Sequence, residues 1–442
     1  MNQRSGRAAW GSVAAAWGLA VWGVLGLAPG AVAWQMEAVR QPARGDGGLT
    51  PPLEAAPARY DEPPPPPFDP VIPTWAPCQS LRTNRSLVLG HLWFGMDILG
   101  WSTKGAGAPP LVTTSTAGTP IGQAGILGLT STSLVFGNEA LHNELRPGGR
   151  LTIGWWLEPE QYRGIEFQWF ELDGQNTRFT ASDDSGSGIF ARPVIDADTG
   201  LPAAVLTTYP GVLEGSLEAA ADLQLGGVGL LYRHLVWASE YARLDLLAGY
   251  RHARLYDRLR IDESLQSLDD SSGFATGSRI VRQDEFRAIN QFDGADLGGR
   301  LWWSRGSSLA LTGLAKVALG ASNRTVLIDG QTSVRSGTTT TTTSGGVLAL
   351  PSNLGRQSEQ DFGVLAEIGL GVEWQPACYW KFSLGYTWLY WSDVARAVSQ
   401  IDRTIDLDQL APNLGSGTRP APRLSTTSFW AQGLTAGFVC QF

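Results

Sequence analysis

Cysteine, histidine and charge are all scarce in this sequence. Its 442 residues include 3 Cys and 4 His, set far apart, which speaks against a disulfide framework and against a clustered metal site. Charged residues make up only 17%, and the net charge of -8 comes without any basic block. We therefore expect no nucleic-acid partner, no metal and no cofactor.

Long apolar runs are also missing after the first 33 residues, so the rest of the chain offers no helix that could span a membrane. Residues 1–33 combine Arg4 and Arg7 with an apolar run and end on a small-residue site, Ala-Val-Ala. This pattern predicts a signal peptide that is cleaved after Ala33, with a retained membrane anchor as the alternative. Residues 34–85 are rich in proline and predict a disordered periplasmic segment with polyproline conformation. A spacer is the favoured interpretation of this segment, and a binding site for a proline-recognising partner is the other.

The sequence contains long segments in which apolar and polar residues alternate. Ten segments alternate between apolar and small or polar residues, near 86–99, 149–158, 163–172, 218–237, 241–254, 290–304, 308–320, 361–375, 379–392 and 428–442. Short and long connections alternate strictly, and the long ones lie near 100–148, 173–217, 255–289, 321–360 and 393–427. Short periplasmic turns and long extracellular loops are the layout of an outer-membrane barrel. We predict an all-β fold, an antiparallel transmembrane up-and-down β-barrel of about ten strands over residues 86–442.

Aromatic residues recur near both ends of the apolar faces, where a barrel contacts the two membrane interfaces. The predicted aromatic girdle consists of Trp169, Tyr250, Trp303, Phe362, Trp374, Trp380, Tyr390 and Trp430. From Phe362 to Trp374 the strand rises by about 30 Å, at about 3.3 Å per residue and about 40° of tilt. That height matches a hydrocarbon core, so we expect outer-membrane lipid to be the partner of this surface and the bacterial outer membrane to be the location.

The chain ends on a strand whose last residue is aromatic. Thr435, Gly437, Cys440 and Phe442 fit the C-terminal insertion signal of outer-membrane proteins, which the barrel-assembly machinery binds. The last strand must also pair with the first, because an open sheet edge leaves backbone groups without hydrogen bonds in lipid.

Several longer stretches carry a family resemblance. They include "RPGGRLTIGWWLEPEQYRGIEFQWFEL", "FRAINQFDGADLGGRLWW" and "LPSNLGRQSEQDFGVLAEIGLGVEW", and together with others they cover residues 86–442. On these stretches the chain resembles the putative beta-barrel porin-7 family of planctomycete outer membranes. The resemblance implies an outer-membrane barrel and supplies no catalytic residues. The chain departs from the family in a longer insertion near 182–204 and a threonine tract at 338–343, both in predicted loops.

The second face of each strand is polar, and we predict that it lines the lumen. Its charged or titratable members are His91, Asp97, Arg150, Glu166, Asp245, Arg251, Asp296, Arg300, Lys316, Glu367, Glu373 and Lys381. One interpretation is a channel lining that tunes ion preference. The other is a salt-bridged filling of the lumen, since barrels of about eight strands are filled by their own side chains.

The sequence predicts a protein that is not an enzyme. Asp257 is close to His252 in sequence, but the alternation places His252 among residues that face the lipid headgroups. The predicted function is a porin that passes ions or small solutes passively through a narrow, mixed-charge lumen. The alternative is a closed structural barrel that displays surface loops for recognition or envelope integrity. The sequence leaves open the solute, the oligomeric state, the loop partner and a pairing of Cys78 with Cys378.

Overall fold

The computed structural model describes residues 91–183, 187–305, 308–377, 379–412 and 414–441. The strands are β1 (Leu92–Thr103), β2 (Ala106–Gly107), β3 (Val112–Ser115), β4 (Thr132–Phe136), β5 (Ala140–Leu141), β6 (Leu145–Trp156), β7 (Arg163–Asp183), β8 (Phe190–Asp196), β9 (Pro202–Thr208), β10 (Leu213–Ala238), β11 (Ala242–Ser267), β12 (Arg279–Trp303), β13 (Leu309–Ser336), β14 (Thr339–Ser344), β15 (Gly355–Ala377), β16 (Trp380–Ala395), β17 (Thr404–Ile405) and β18 (Thr426–Gln441). Short 3-10 helices lie at Ile121–Gln123, Asp270–Ser272, Ala397–Gln400 and Leu407–Gln409. Among the described residues, no helix is long and apolar enough to cross a membrane.

Ten of these strands form a closed ring. Their order is β12-β11-β10-β7-β6-β1-β18-β16-β15-β13, and β13 pairs in turn with β12. Every neighbouring pair in the ring is antiparallel. The predicted all-β barrel of about ten strands is therefore confirmed. The predicted signal peptide, the segment 34–85, Cys78, Cys378 and Phe442 lie outside the described residues.

The ring closes between the first and last strands. β1 and β18 pair from Trp93 opposite Gln441 to Thr103 opposite Ala431, and β18 also pairs with β16. Gly437 faces Asp97 across this seam, and a Cβ added at Gly437 would lie 1.8 Å from the Asp97 Oδ1. The seam thus depends on a glycine at this position.

The hydrophobic face of β11 changes sides part-way along the strand. At the short-turn end the outward residues are apolar, namely Leu244, Leu246, Ala248 and Tyr250. Beyond Tyr250 the outward residues are polar, namely His252, Arg254, Tyr256, Arg258, Arg260 and Asp262, while the buried inward ones are mainly apolar, including Ala253, Leu255, Leu259 and Ile261. An apolar outer face fits lipid and a polar one fits water, so the strand leaves the membrane near Tyr250.

The strands are therefore much longer than a membrane crossing requires. Crossing takes about 9–11 residues, whereas β13 has 28 residues and β10 and β11 have 26 each. The predicted loops near 173–217, 255–289 and 321–360 are wrong in large part, since they contain the outer parts of β7 and β10–β13. Their alternation continues in the sequence, but with reversed polarity, which a search for lipid-facing strands does not detect.

A folded cap covers the long-loop end of the barrel. We define the cap as β2–β5, β8, β9, β14 and β17, the loops that join them, and the parts of β7 and β10–β13 beyond the membrane. Its main sheet has the order β17-β8-β3-β4, with β9 paired to β8. Its apolar core joins the loops to the inner faces of the long strands and includes Leu111, Val112, Phe136, Val194, Leu259, Ile261, Phe286, Val326, Ile328, Leu348, Leu350, Ile401 and Ile405. The predicted long loops are thus a packed structure with its own core.

Candidate functional site: the barrel interior

Glu367 of β15 is the central carboxylate of the interior. Its side chain is 4% exposed, and its oxygens accept from Arg150 Nη2 at 2.9 Å, from Lys316 Nζ at 3.1 Å and from the guanidinium of Arg251. Lys316 is the register partner of Glu367 on the adjacent strand β13, whereas Arg150 and Arg251 come from β6 and β11, which are not neighbours of β15 in the ring. The ion pairs of Glu367 with Arg150 and Arg251 therefore cross the lumen.

Gln168 links Glu367's partners to a second carboxylate, Glu166. Lys316 Nζ donates to Gln168 Oε1 at 3.0 Å, and Gln168 Nε2 donates to Glu166 Oε1 at 2.5 Å. Glu166 also accepts two hydrogen bonds of 2.9 Å from Arg300, one on each oxygen. This bidentate geometry is the strongest form of an arginine–carboxylate pair.

Asp245 is the third node, and its partners were missed by the sequence prediction. Arg233 Nη2 lies 2.5 Å and Arg243 Nε 2.9 Å from the carboxylate oxygens of Asp245. The two guanidinium groups lie 4.7 Å and 5.0 Å from the Trp156 ring centroid. Both arginines thus combine an ion pair with a cation–π contact.

We call this set the lumen network: Arg150, Glu166, Arg233, Arg243, Asp245, Arg251, Asp296, Arg300, Lys316 and Glu367. Asp296 joins it through Arg251 at 3.1 Å. Six cations and four carboxylates make up the set, and all four carboxylates are buried. Buried charges are stable only when they are paired, and each of the four carboxylates is paired with at least one of the cations. The network is therefore an ion-paired filling of the barrel with two more cations than carboxylates.

Four of the predicted lumen residues lie outside this network. Glu373 and Lys381 form a separate pair of 3.2 Å nearer the short-turn end. Asp97 lines a cavity beside the network and makes no ion pair with a described residue. His91 precedes β1, and no ion pair joins it to the described residues.

An apolar layer lies inside the barrel between the lumen network and the cap. It consists of Leu99, Trp101, Phe170, Leu172, Leu223, Leu225, Ala253, Leu255, Phe292, Ala318, Leu365, Leu389, Trp391, Val394, Phe429 and Ala431. Phe292 and Trp391 pack edge to face with ring centroids 6.2 Å apart. Trp101 Nε1 donates to Thr435 Oγ1 at 3.2 Å. Arg146, the register partner of Trp101, is buried at the same level and donates to the carbonyl oxygen of Leu223. The layer is therefore mainly apolar, with a buried cation beside it.

The proposed insertion-signal residues lie at the seam between β1 and β18. Thr435 is buried and faces inward, and Gly437 lies under the carboxyl group of Asp97. Cys440 is a half-buried free cysteine whose register partner on β16 is Trp380. Their role as an insertion signal stays a prediction.

The eight predicted girdle residues are exposed or half-buried. Trp303, Trp374 and Trp380 lie at the short-turn end. There, Trp374 contacts Phe382 and Trp380 contacts Phe438, with ring centroids 5.9 Å and 5.7 Å apart. The other five are Trp169, Tyr250, Phe362, Tyr390 and Trp430. They lie farther along their strands, where Tyr390 stacks on Trp388 at 5.7 Å.

Two cavities open on the membrane side of the apolar layer. A cavity of about 280 Å³ lies at the short-turn end, and we call it the vestibule; it is lined by Trp93, Trp156, Arg233, Arg243, Trp302 and Lys381, among others. A second cavity of about 210 Å³ follows a wall of small side chains, including Gly371, Ser383, Gly385 and Thr387. Neither cavity is lined by residues of the cap.

The described residues contain no group of three His, Cys, Asp or Glu side chains that could hold a metal ion. His252 Nδ1 lies 2.8 Å from Asp293 Oδ1, and the hydroxyl of Tyr250 donates to the same oxygen. This trio is on the outer surface near the membrane interface, away from both cavities, and offers no nucleophile.

Residues 93–442 match the family model described as "Putative beta barrel porin-7". The chain belongs to this porin-7 family. It is therefore a β-barrel protein of the bacterial outer membrane. A search of curated proteins found no match.

The porin-7 chain is similar to three solved outer-membrane proteins. The protease OmpT of Escherichia coli has 11% identity over 81% of this chain and 99% of that chain, with a TM-score of 0.38. The toluene transporter TodX of P. putida has 9% identity over 80% and 90%, with a TM-score of 0.19. A FadL homologue of Pseudomonas aeruginosa has 10% identity over 79% and 90%, with a TM-score of 0.21. At these values they tell nothing of what this chain binds or does.

Proposed function

We propose that this porin-7 protein is a closed outer-membrane barrel that holds a folded cap at the cell surface for recognition or envelope integrity. The observation that carries the proposal is the continuous filling of the lumen. From the short-turn end outward, a solute meets the lumen network, then the apolar layer, then the core of the cap. Each level is packed from side chains of several strands.

The apolar layer is the strongest barrier to an ion. Water and ions need polar partners, and a dry apolar constriction opposes conduction by excluding water. Trp101, Trp391 and Phe429 are each 0% exposed, which leaves no solvent-accessible path past them. The cap then adds a second closed level, in which Asp284 accepts hydrogen bonds from the backbone amides of residues 347–349 at 2.8–3.1 Å.

Passive passage of ions or small solutes is the second candidate. The two cavities favour it, because they form solvent-accessible space beside the lumen network on the membrane side of the apolar layer. A conducting state would require the aromatic side chains of the apolar layer to move out of the lumen. The porin label of the family points the same way.

No reaction is part of either proposal. The two inward carboxylates with the most partners, Glu166 and Glu367, are held by arginine and lysine rather than presented to a cavity. His142 is buried under the cap, and the His252–Asp293 pair lies outside the barrel.

Single-molecule recordings in planar lipid bilayers separate the two functions. We expect the wild-type protein to insert without steady unitary conductance. The double variant Trp391→Ala, Phe429→Ala removes two rings from the apolar layer and should raise the frequency of open events. Trp430→Ala is the matched control, since this neighbouring side chain faces outward. A steady wild-type conductance that changes when Glu367 or Lys316 is neutralised would instead support passive transport.

A further inference from the structure

Arg146 is a buried cation that has no carboxylate partner. It lies at the start of β6, is 2% exposed and donates to a backbone oxygen, that of Leu223. Its Nε and Nη1 atoms have no acceptor among the described residues. All other buried arginine and lysine side chains in the described part of the chain form ion pairs, namely Arg192, Arg251, Arg282, Lys316, Arg324 and Arg396. The charge of Arg146 is therefore the one that these side chains leave uncompensated.

Arg146 cannot remove this charge by releasing a proton. A guanidinium group stays protonated in proteins, whereas a buried lysine can become neutral. Burying a charge without a counter-charge costs several kcal/mol. A water molecule could accept hydrogen bonds from the free nitrogens, but it would bring no negative charge. We therefore looked for a negative charge near Arg146.

The nearby carboxylates do not supply it. Asp257 is already paired with Arg396, whose Nε donates to Asp257 Oδ2 at 2.6 Å. Asp173 acts on Arg146 electrostatically, but it is exposed, and no ion pair joins the two side chains in the structure. Two buried cations, Arg146 and Arg396, thus accompany one buried carboxylate.

Arg146 and Arg396 reach neighbouring points inside the barrel from distant parts of the chain. Arg396 directly follows β16 and is 1% exposed. Its partner Asp257 is the register partner of Leu223 between β10 and β11, and Leu223 accepts the hydrogen bond from Arg146. Arg396 Nη2 also has no acceptor among the described residues. Free donors of two guanidinium groups therefore lie beside the same pair of residues.

The imidazole of His142 belongs to the same group. It is 3% exposed, and neither ring nitrogen has a hydrogen-bond partner among the described residues. The charges of Asp257, Arg396 and Arg146 all act on this ring. The backbone of His142 is left-handed, with a φ of 65°, and Thr103 Oγ1 donates to its carbonyl oxygen at 2.6 Å. This conformation is uncommon outside glycine, and such residues cluster at sites that hold ligands.

We propose that Arg146, Arg396 and His142 bind a small inorganic anion of the size of chloride. The anion accepts hydrogen bonds from the two guanidinium groups and from one N–H of the neutral imidazole, and it compensates the charge of Arg146. Neither of the two cavities in the barrel includes these residues, which argues against phosphate or an organic anion. The anion joins β6 to the segments around His142 and Arg396 and so holds the cap on the barrel, whether or not the barrel conducts.

The dependence of cap stability on chloride tests the proposal. Limited proteolysis of the cap is measured on the full-length protein in detergent micelles, in sodium chloride and in sodium gluconate at equal ionic strength. Gluconate is too large for the site. At about ten times its Kd, chloride should reduce the open fraction of the cap, and with it the cleavage rate, about elevenfold. Equal rates in the two salts would overturn the proposal.

Two variants separate loss of the anion from loss of stability. Arg146→Met removes the charge but keeps an unbranched side chain, and it should abolish the difference between the two salts. Arg192→Met is the matched control, because Arg192 is also buried but is paired with Asp284. It should speed cleavage in both salts and keep the difference between them. A difference that persists in Arg146→Met, or that both variants lose, would contradict the assigned site.

Bromide locates the anion in the wild-type protein, so this measurement does not depend on the folding of a variant. Crystals grown in sodium bromide should show anomalous scattering from one bromide ion in contact with the side chains of Arg146 and His142. A water molecule at this position would overturn the proposal. Bromide bound only at the protein surface, as an adventitious ion only, would overturn it too.

Discussion

Replacing Glu367 by glutamine should destabilise the barrel more than any other single loss of charge in the lumen. The substitution keeps the shape of the side chain but removes the negative charge shared by Arg150, Arg251 and Lys316. Lys316 is 2% exposed and has no route to bulk water. The three cations would then remain buried beside a neutral amide.

The size of the effect follows from the burial of the partners. Removing one member of a buried ion pair costs about 3–5 kcal/mol, because the remaining charge has lost its compensation. Glu373→Gln is the matched control. Its pair with Lys381 is partly exposed, at 18% and 26%, so its loss should cost about 0–1 kcal/mol.

Guanidinium-induced unfolding in detergent micelles measures both variants, with the folded fraction taken from the gel mobility of unheated samples. Adding Lys316→Met to Glu367→Gln should recover part of the lost stability, since one uncompensated cation is removed. If Glu367→Gln cost no more than Glu373→Gln, the interpretation of the lumen network as a structural filling would be refuted.

Three further predictions concern the cap and the seam. Burial lowers the pKa of His142 to about 4. As the pH falls below about 6.5, the imidazole of His142 takes up a proton in the unfolded chain but not in the folded cap, so the cap should lose about 3 kcal/mol of stability between pH 6.5 and pH 4. In a proteolysis assay, His142→Phe should reduce this dependence of stability on pH. Asp284→Ala removes the acceptor of three buried backbone amides at 347–349. Limited proteolysis at these residues should become at least tenfold faster. An unchanged rate would contradict a role of these three hydrogen bonds in holding the cap. Gly437→Ala should slow barrel closure in a folding-rate assay, because the added Cβ would lie 1.8 Å from Asp97 Oδ1 and 2.9 Å from the carbonyl oxygen of Met96. The additional change Asp97→Gly removes the closer contact and should restore part of the rate, whereas a double variant as slow as the single one would show that the contact with Asp97 is not the cause.

The sequence predicted the ring because the lipid-facing half of each strand repeats a simple pattern. Apolar and polar residues alternate, and short turns alternate with long connections, so strand number and closure followed directly. The cap did not follow, because the outer part of β11 reverses its polarity after Tyr250. In the membrane part of β11 the apolar Leu244 faces outward and the charged Asp245 faces inward. In the outer part the charged Arg254 faces outward and the apolar Leu259 faces inward, and the alternation is equally regular. Searching for either polarity would have found the long strands.

Arg233 and Arg243 were missed for a different reason. Arg233 shares the inward face of β10 with Leu223, Leu225 and Leu231, so this face reads as apolar in the sequence rather than as a lumen lining. Arg243 is in phase with Asp245 on β11 and follows from the same alternation, but the sequence does not show that it pairs with that carboxylate.

The central claim is that the apolar face of each long strand points to lipid below the outer girdle and into the protein above it. Spin labels at Leu246→Cys, Arg254→Cys and Leu259→Cys of β11 test this directly, through collision rates with oxygen and with a water-soluble nickel complex. The account predicts a lipid-exposed label at 246, a water-exposed label at 254 and a label shielded from both reagents at 259. A lipid-exposed label at 254, or a water-exposed label at 246, would contradict it.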